Sequence, residues 1–169
     1  VMQMATLFGI KEIKDMPDSG MIISILIIQF VAVAGSHLFS FLSSKYGNIK
    51  ALGSTLVIWV GICIAAYFTH YAIEFYILAG VVGLVMGGVQ SLARSTYSKL
   101  LPETKDTASY FSFYDVIEKI GVVIGTFAFG TIVGLTGSMR NSVFALLLFF
   151  VVGLVLLAFI PKEKVKVHG

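Results

Sequence analysis

The chain has 169 residues, of which 57% are hydrophobic and 12% are charged, and its mean hydropathy is +0.95. A water-soluble domain carries about a quarter charged residues and could not hide this much apolar surface, so the composition predicts a polytopic membrane protein. The net charge of +3 includes no long basic run, which argues against a phosphate-binding tail and a nucleic-acid partner.

Five apolar stretches are long enough to cross a bilayer as helices, which takes about 20 residues. A shorter apolar segment, 1–10, precedes them and is predicted to be the end of a sixth helix, so we expect a fragment whose N-terminal part is missing. Short connections with turn chemistry predict antiparallel neighbours in an all-α membrane bundle. In chain order the five predicted spans are 22–42, 51–69, 72–93, 108–135 and 142–160.

The lysines and arginines predict an orientation. The links at 43–50 and 94–107 and the tail after 160 fall on one side and carry eight basic residues, whereas the other side carries three. Cytoplasmic loops are enriched in Lys and Arg. We therefore expect the tail and these two links in the cytoplasm, and the chain in a bacterial inner (plasma) membrane.

The fourth predicted span carries three ionisable side chains, Asp115, Glu118 and Lys119, on one helix face. Charges inside a membrane cost about 2.5–3.5 kcal/mol each and normally face a cavity or one another. A rise of about 1.5 Å per residue places Lys119 near the bilayer midplane, where transporter sites lie. We expect a functional site here; the alternative is an Asp115–Lys119 ion pair that only steadies the helix.

Four further side chains are candidates for the same site or its entrance. Gln90 and Arg94 stand one turn apart at the end of the third span, where Arg94 either gates the cytoplasmic mouth or reaches lipid headgroups. Gln29, in the middle of the first full span, either contacts substrate or bonds a neighbouring helix. Tyr114, at the start of the charged helix, either anchors the interface or lines a cavity.

Glycine pairs four residues apart occur in two of the spans. Such pairs allow two helix backbones to approach closely. They fit a static bundle, and they also fit helices that slide during a transport cycle. The pairs are Gly83 with Gly87, Gly121 with Gly125, and Gly130 with Gly134.

No motif predicts catalysis or metal binding. Cys63 is the only cysteine, and the three histidines have no carboxylates at ligand spacing. Neither a nucleophile elbow, nor a zinc-protease motif, nor a phosphate-binding glycine loop occurs. We expect no enzyme activity, no metal site, and no cofactor other than a coupling proton.

The link at 42–50 resembles the signature loop of the major facilitator superfamily, whose pattern is roughly G-x-L-x-D-R-x-G-R-K. Lys45, Gly47 and Lys50 match its basic and glycine positions, whereas Ser44 stands at the acidic position.

Three later stretches, 87–95, 101–103 and 110–115, together with Lys119, resemble the tenth-to-eleventh helix region of the vacuolar amino-acid effluxer-like branch of that superfamily, also called the unknown major facilitator family. That branch has G-G-x-Q-x-x-x-R-S, then L-x-P-E, then F-F-x-F-Y with a downstream lysine. The pair Gly125-Thr126 departs from the Gly-Pro of many relatives.

The resemblance implies the C-terminal six-helix half of a twelve-helix secondary transporter, with two inverted three-helix repeats. Its partners would be a small solute, amino acids among the candidates, the bilayer, and an N-terminal half outside this chain. Glu118 and Lys119 would face the central cavity, with Lys119 toward a substrate carboxylate, and Asp115 or Glu118 would carry a coupling proton. A non-transporting sensor or assembly module and a transporter of sugars or drugs remain alternatives.

Overall fold

The computed structural model describes residues 8, 9, 13, 19–102 and 106–160. Five long α-helices cover most of this part of the chain, and each is long and apolar enough to cross a membrane. The predicted all-α polytopic bundle is therefore confirmed. Of the predicted segment 1–10, only Phe8 and Gly9 are described, and both are helical. The helices are α1 (Gly20–Tyr46), α2 (Asn48–Phe68), α3 (Ala72–Leu100), α4 (Thr107–Thr136) and α5 (Met139–Ala158).

Two links are shorter than the sequence predicts, because the flanking helices extend into them. The helix α3 continues two turns beyond 93, so Arg94 and Lys99 are helical residues and not loop residues. It ends where Leu101 turns to an extended backbone (φ −65°, ψ 141°) in front of Pro102, since proline disfavours a helical conformation in the residue before it. The link at 43–50 shrinks to Gly47 alone.

Local chemistry fixes the ends of several helices. Gly47 joins α1 to α2 with φ 90° and ψ 151°, and Gly137 ends α4 in the left-handed region with φ 67°. Both conformations favour a residue without a Cβ atom. Asp106 caps α4, because its carboxylate accepts a hydrogen bond from the backbone N–H of Ser109 at 3.3 Å.

Glycines bring α1 and α3 into backbone contact. A Cβ atom built at Gly83 would lie 2.6 Å from the carbonyl oxygen of Ile28, and one built at Gly87 would lie 2.0 Å from that of Ala32. This pair therefore packs two helices closely. The pairs on α4 behave differently: no described atom lies within 4 Å of a Cβ built at Gly121, Gly125, Gly130 or Gly134.

Basic side chains cluster at one end of the bundle. We call it the basic end: Lys45 and Lys50 flank the α1–α2 link there, and Arg94 and Lys99 lie on the last turns of α3. The helix α5 also ends near it, since Leu157 packs beside Gly53 in the first turns of α2. Below this level the core continues through the stacked rings of Trp59 and Phe150, 4.9 Å apart.

Candidate substrate site on helix α4

The helix α4 is the least covered of the five. Phe129 is its only buried residue, whereas each of the other four helices buries several. Near the basic end α4 contacts α3, and around Phe129 it joins a core cluster that includes Cys63 and Val143. Between these two contacts, residues 116–124 are all exposed. The middle of α4 is thus left uncovered by the described part of the chain.

An ion pair joins α3 to α4. The Arg94 Nη2 atom lies 2.7 Å from Asp115 Oδ1, and both side chains are more than half exposed. Asp115 therefore pairs across two helices with Arg94, and the structure shows no Asp115–Lys119 pair. Arg94 does not reach away from the bundle as an isolated headgroup anchor would.

Aromatic contacts support this ion pair. The hydroxyl group of Tyr97 donates a hydrogen bond to the carbonyl oxygen of Tyr110 at 2.9 Å, and the Tyr97 and Tyr114 rings are 4.9 Å apart. The Arg94 guanidinium lies 5.9 Å from the centre of the Tyr114 ring, within the range of a cation–π interaction. We call this set, Arg94, Tyr97, Tyr110, Tyr114 and Asp115, the α3–α4 junction.

Three polar side chains lie one turn deeper than the ion pair. Gln90 precedes Arg94 by four residues, and Glu118 and Lys119 follow Asp115 by three and four. Because α3 and α4 are antiparallel, all three lie further from the basic end than the ion pair, Glu118 by about 4.5 Å and Gln90 and Lys119 by about 6 Å. Each is exposed, and none has a hydrogen bond or ion pair with another described residue.

A groove follows the same face of α4. It has a volume of about 430 Å³, and Asp115 and Lys119 are its polar lining residues beside Val116, Ile120 and Val123. An anionic group in this groove would meet the Lys119 ammonium, and a cationic group would meet the Asp115 carboxylate, which is paired with Arg94. Glu118 is next to Lys119 in the sequence and is exposed, but it is not among the residues that line the groove.

The remaining predicted residues lie elsewhere. Gln29 is exposed on α1 and makes no hydrogen bond with another described residue, so the structure does not place it against a neighbouring helix through its amide. Lys45 and Lys50 are exposed at the basic end, where the Lys45 ammonium lies 5.6 Å from the Tyr46 ring centre. Gly47 supplies the turn between α1 and α2.

One polar cluster, centred on Asn48, is not predicted from the sequence. Asn48, at 2% exposure, accepts a hydrogen bond from the Lys99 ammonium at 2.9 Å and donates one to the Ser95 hydroxyl at 3.0 Å. The Ser43 hydroxyl also donates to it. The cluster ties together α1, α2 and α3 at the basic end. Its only sequence signal is an asparagine directly after the turn glycine, within a segment that was predicted to be loop.

A second unpredicted contact lies at the opposite end. The Arg140 Nη1 atom donates to the carbonyl oxygen of Tyr67 at 2.6 Å and lies 3.1 Å from His70 Nε2. The His70 Nδ1 atom lies 2.6 Å from the carbonyl oxygen of Phe68. Within the described ranges, no group of three or more His, Cys, Asp or Glu side chains could hold a metal ion.

Comparison with known proteins decides the family. A family model described as "Vacuole effluxer Atg22 like" matches residues 1–169, the whole chain. The chain belongs to the Atg22-like vacuole effluxer family. This agrees with the resemblance seen in the sequence, and it makes the chain an integral membrane protein of the major facilitator type.

The Atg22-like relatives include bacterial and fungal proteins. The chain is 33% identical over 146 residues to the MFS-type transporter YxiO of Bacillus subtilis (strain 168), covering 86% of this chain and 34% of that protein. It is 27% identical over 171 residues to autophagy-related protein 22 of Yarrowia lipolytica, covering 95% and 28%. The chain thus spans about a third of the length of the curated relatives it matches. No solved structure matches it.

Proposed function

We propose that this Atg22-like chain is the C-terminal half of a secondary transporter that moves a small solute by alternating access, with amino acids as the first candidate class. The observation that carries the proposal is the adjacent Glu118 and Lys119, which are in the middle of a membrane-spanning helix and have no partner among the described residues. Because each such charge costs about 2.5–3.5 kcal/mol in a bilayer, a pair of them favours a hydrated, functional cavity.

The N-terminal half of the transporter would form the other wall of this cavity. The curated relatives are about three times as long as this chain, and the middle of α4 is left open by its own bundle. A second bundle placed against α4 would enclose Glu118 and Lys119 at the midplane, the level at which transporters hold their substrates.

The contacts distinguish the roles of the two carboxylates. Asp115 is held by Arg94 at 2.7 Å, whereas Glu118 forms no ion pair with a described residue and is the better candidate for the coupling proton. Lys119 would bind the carboxylate of the substrate. The half-exposed Arg94–Asp115 pair is worth at most about 1 kcal/mol, so a conformational cycle could break and remake it as a gate at the basic end.

Ligand-induced stabilisation of the full-length transporter tests the site. A ligand that binds only the folded state raises the melting temperature with its concentration, so amino acids, sugars and nucleosides would be screened in detergent at two pH values. We expect an amino acid to raise the melting temperature, and we expect Lys119→Ala to lose both this rise and transport. Lys164→Ala is the matched control, since residue 164 follows the last predicted span in the sequence, and it is expected to retain both.

The same experiment separates the alternatives. Full transport by Lys119→Ala contradicts the proposed site. A shift with sugars instead of amino acids contradicts the substrate class and keeps the transporter, and no shift with any compound favours the non-transporting module. Glu118→Gln is expected to keep the ligand shift but lose the dependence of transport on a pH gradient; an unchanged dependence removes Glu118 from proton coupling.

A further inference from the structure

An apolar cavity lies among the helices, in the half of the bundle away from the basic end. Its volume is about 70 Å³, and all five helices contribute to its lining. The lining is entirely apolar and includes Ile28 of α1, Trp59 and Cys63 of α2, Phe75 of α3, Phe129 of α4 and Val143 of α5.

A groove on the outer surface lies beside this cavity and shares two lining residues with it. It runs between α2 and α5, has a volume of about 210 Å³, and is bordered by Ile64, Phe68 and Phe144, which are 50%, 67% and 55% exposed. Cys63 and Val143 line both the groove and the cavity, and both are buried. The Cys63 and Val143 side chains therefore separate the groove on the outer surface from the cavity inside the bundle.

Neither a bound water molecule nor an empty space is energetically favourable in this cavity. An apolar cavity offers water no hydrogen-bond partners and stays dry, while an empty one forfeits the dispersion contacts of its walls. Large apolar side chains are exposed on the outer faces of α2 and α5, among them Val57, Ile64 and Leu148. In a bilayer these side chains would contact lipid hydrocarbon. The lipid hydrocarbon that would border the groove is therefore apolar, as the cavity is.

We infer that the α2–α5 groove and the inner cavity form a binding site for one acyl chain of a bilayer phospholipid, which enters between Cys63 and Val143. The site is independent of the proposed substrate site, because it opens to the lipid and contains neither Glu118 nor Lys119. An acyl chain there would pack against Trp59, which is stacked on Phe150 and is 4% exposed.

Fluorescence quenching by brominated lipid tests this site. The full-length protein would be reconstituted into phosphatidylcholine vesicles with and without bromine on one acyl chain, and the Trp59 signal would be taken as the difference from Trp59→Phe. We expect strong quenching of Trp59 although it is buried. Val143→Phe fills the space between Cys63 and Val143 and is expected to remove at least half of the quenching. Val143→Ala enlarges that space and is expected to increase the quenching.

The matched control lies on the same helix. Val152→Phe adds the same ring at a position that is 47% exposed on the outer surface of α5, and we expect it to leave the Trp59 quenching unchanged. An unquenched Trp59, or equal quenching in Val143→Phe, Val143→Ala and Val152→Phe, overturns the inference. If Val143→Phe does not elute as a folded protein, the comparison of Val143→Ala with Val152→Phe decides alone.

Discussion

Single residues set the connections between helices, and Gly47 is the clearest case. Its φ of 90° with ψ of 151° lies in a region that is essentially restricted to glycine. No described atom lies within 4 Å of a Cβ built at this position, so a methyl group would meet no steric obstacle in the described part of the chain. The whole penalty of a substitution would be backbone strain.

Gly47→Ala is therefore expected to lower the stability of the folded protein by about 1–3 kcal/mol. The measurement is thermal unfolding of the full-length protein in detergent. Gly61→Ala is the matched control, since Gly61 lies inside helix α2 with equally open space around it, and alanine there is expected to be neutral or to stabilise by about 0.5–1 kcal/mol. Equal melting temperatures for the two variants would show that the turn tolerates a side chain.

At the scale of helix pairs, the glycines show that sequence spacing alone does not predict which pairs lie at a helix–helix contact. The same four-residue spacing occurs on α3 and α4, yet Gly83 and Gly87 touch the backbone of α1 while the α4 glycines touch no described residue. Identical spacing thus serves close packing in one helix and leaves an open surface in the other.

The α1–α3 contact predicts opposite outcomes for two alanine substitutions on α3. Gly87→Ala places a methyl group 2.0 Å from the carbonyl oxygen of Ala32, so the helices must separate, at a cost of about 1–3 kcal/mol. Gly80→Ala places it 4.0 Å from the Ile27 side chain, an ordinary contact, and is expected to be neutral or mildly stabilising. Thermal unfolding compares the two, and a Gly87→Ala protein as stable as Gly80→Ala would refute the close contact.

At the scale of the whole molecule, two sets of polar contacts between helices lie at the basic end. The α3–α4 junction joins two helices there, and the buried Asn48 joins α1, α2 and α3. The basic side chains at this end include Lys45, Lys50 and Lys99, whereas Arg140 lies at the other end. Because basic residues concentrate on the cytoplasmic side, we propose that the basic end faces the cytoplasm.

Cysteine labelling checks this orientation. In a cysteine-free full-length background, Lys50→Cys and Asn141→Cys would be treated with a membrane-impermeant maleimide on intact cells; both positions are exposed. We expect position 141 to react on intact cells and position 50 to react only after permeabilisation. The reverse pattern would place the basic end outside and contradict the proposed orientation.

The sequence by itself determined the membrane class and the presence of five helices long and apolar enough to cross a membrane. These features follow from hydropathy, which is a property of a single segment. The sequence also placed Asp115, Glu118 and Lys119 on one face of one helix, because that relation depends only on the helical repeat.

Only the tertiary structure decided which helices meet. It gave Asp115 the partner Arg94, 21 residues earlier in the chain, and left Glu118 and Lys119 without a hydrogen bond or ion pair to the described residues. It also buried Asn48 against α3 and opened the middle of α4. The partner of a charge in a membrane depends on the neighbouring helix and its register, and a periodic pattern within one helix carries no information about either.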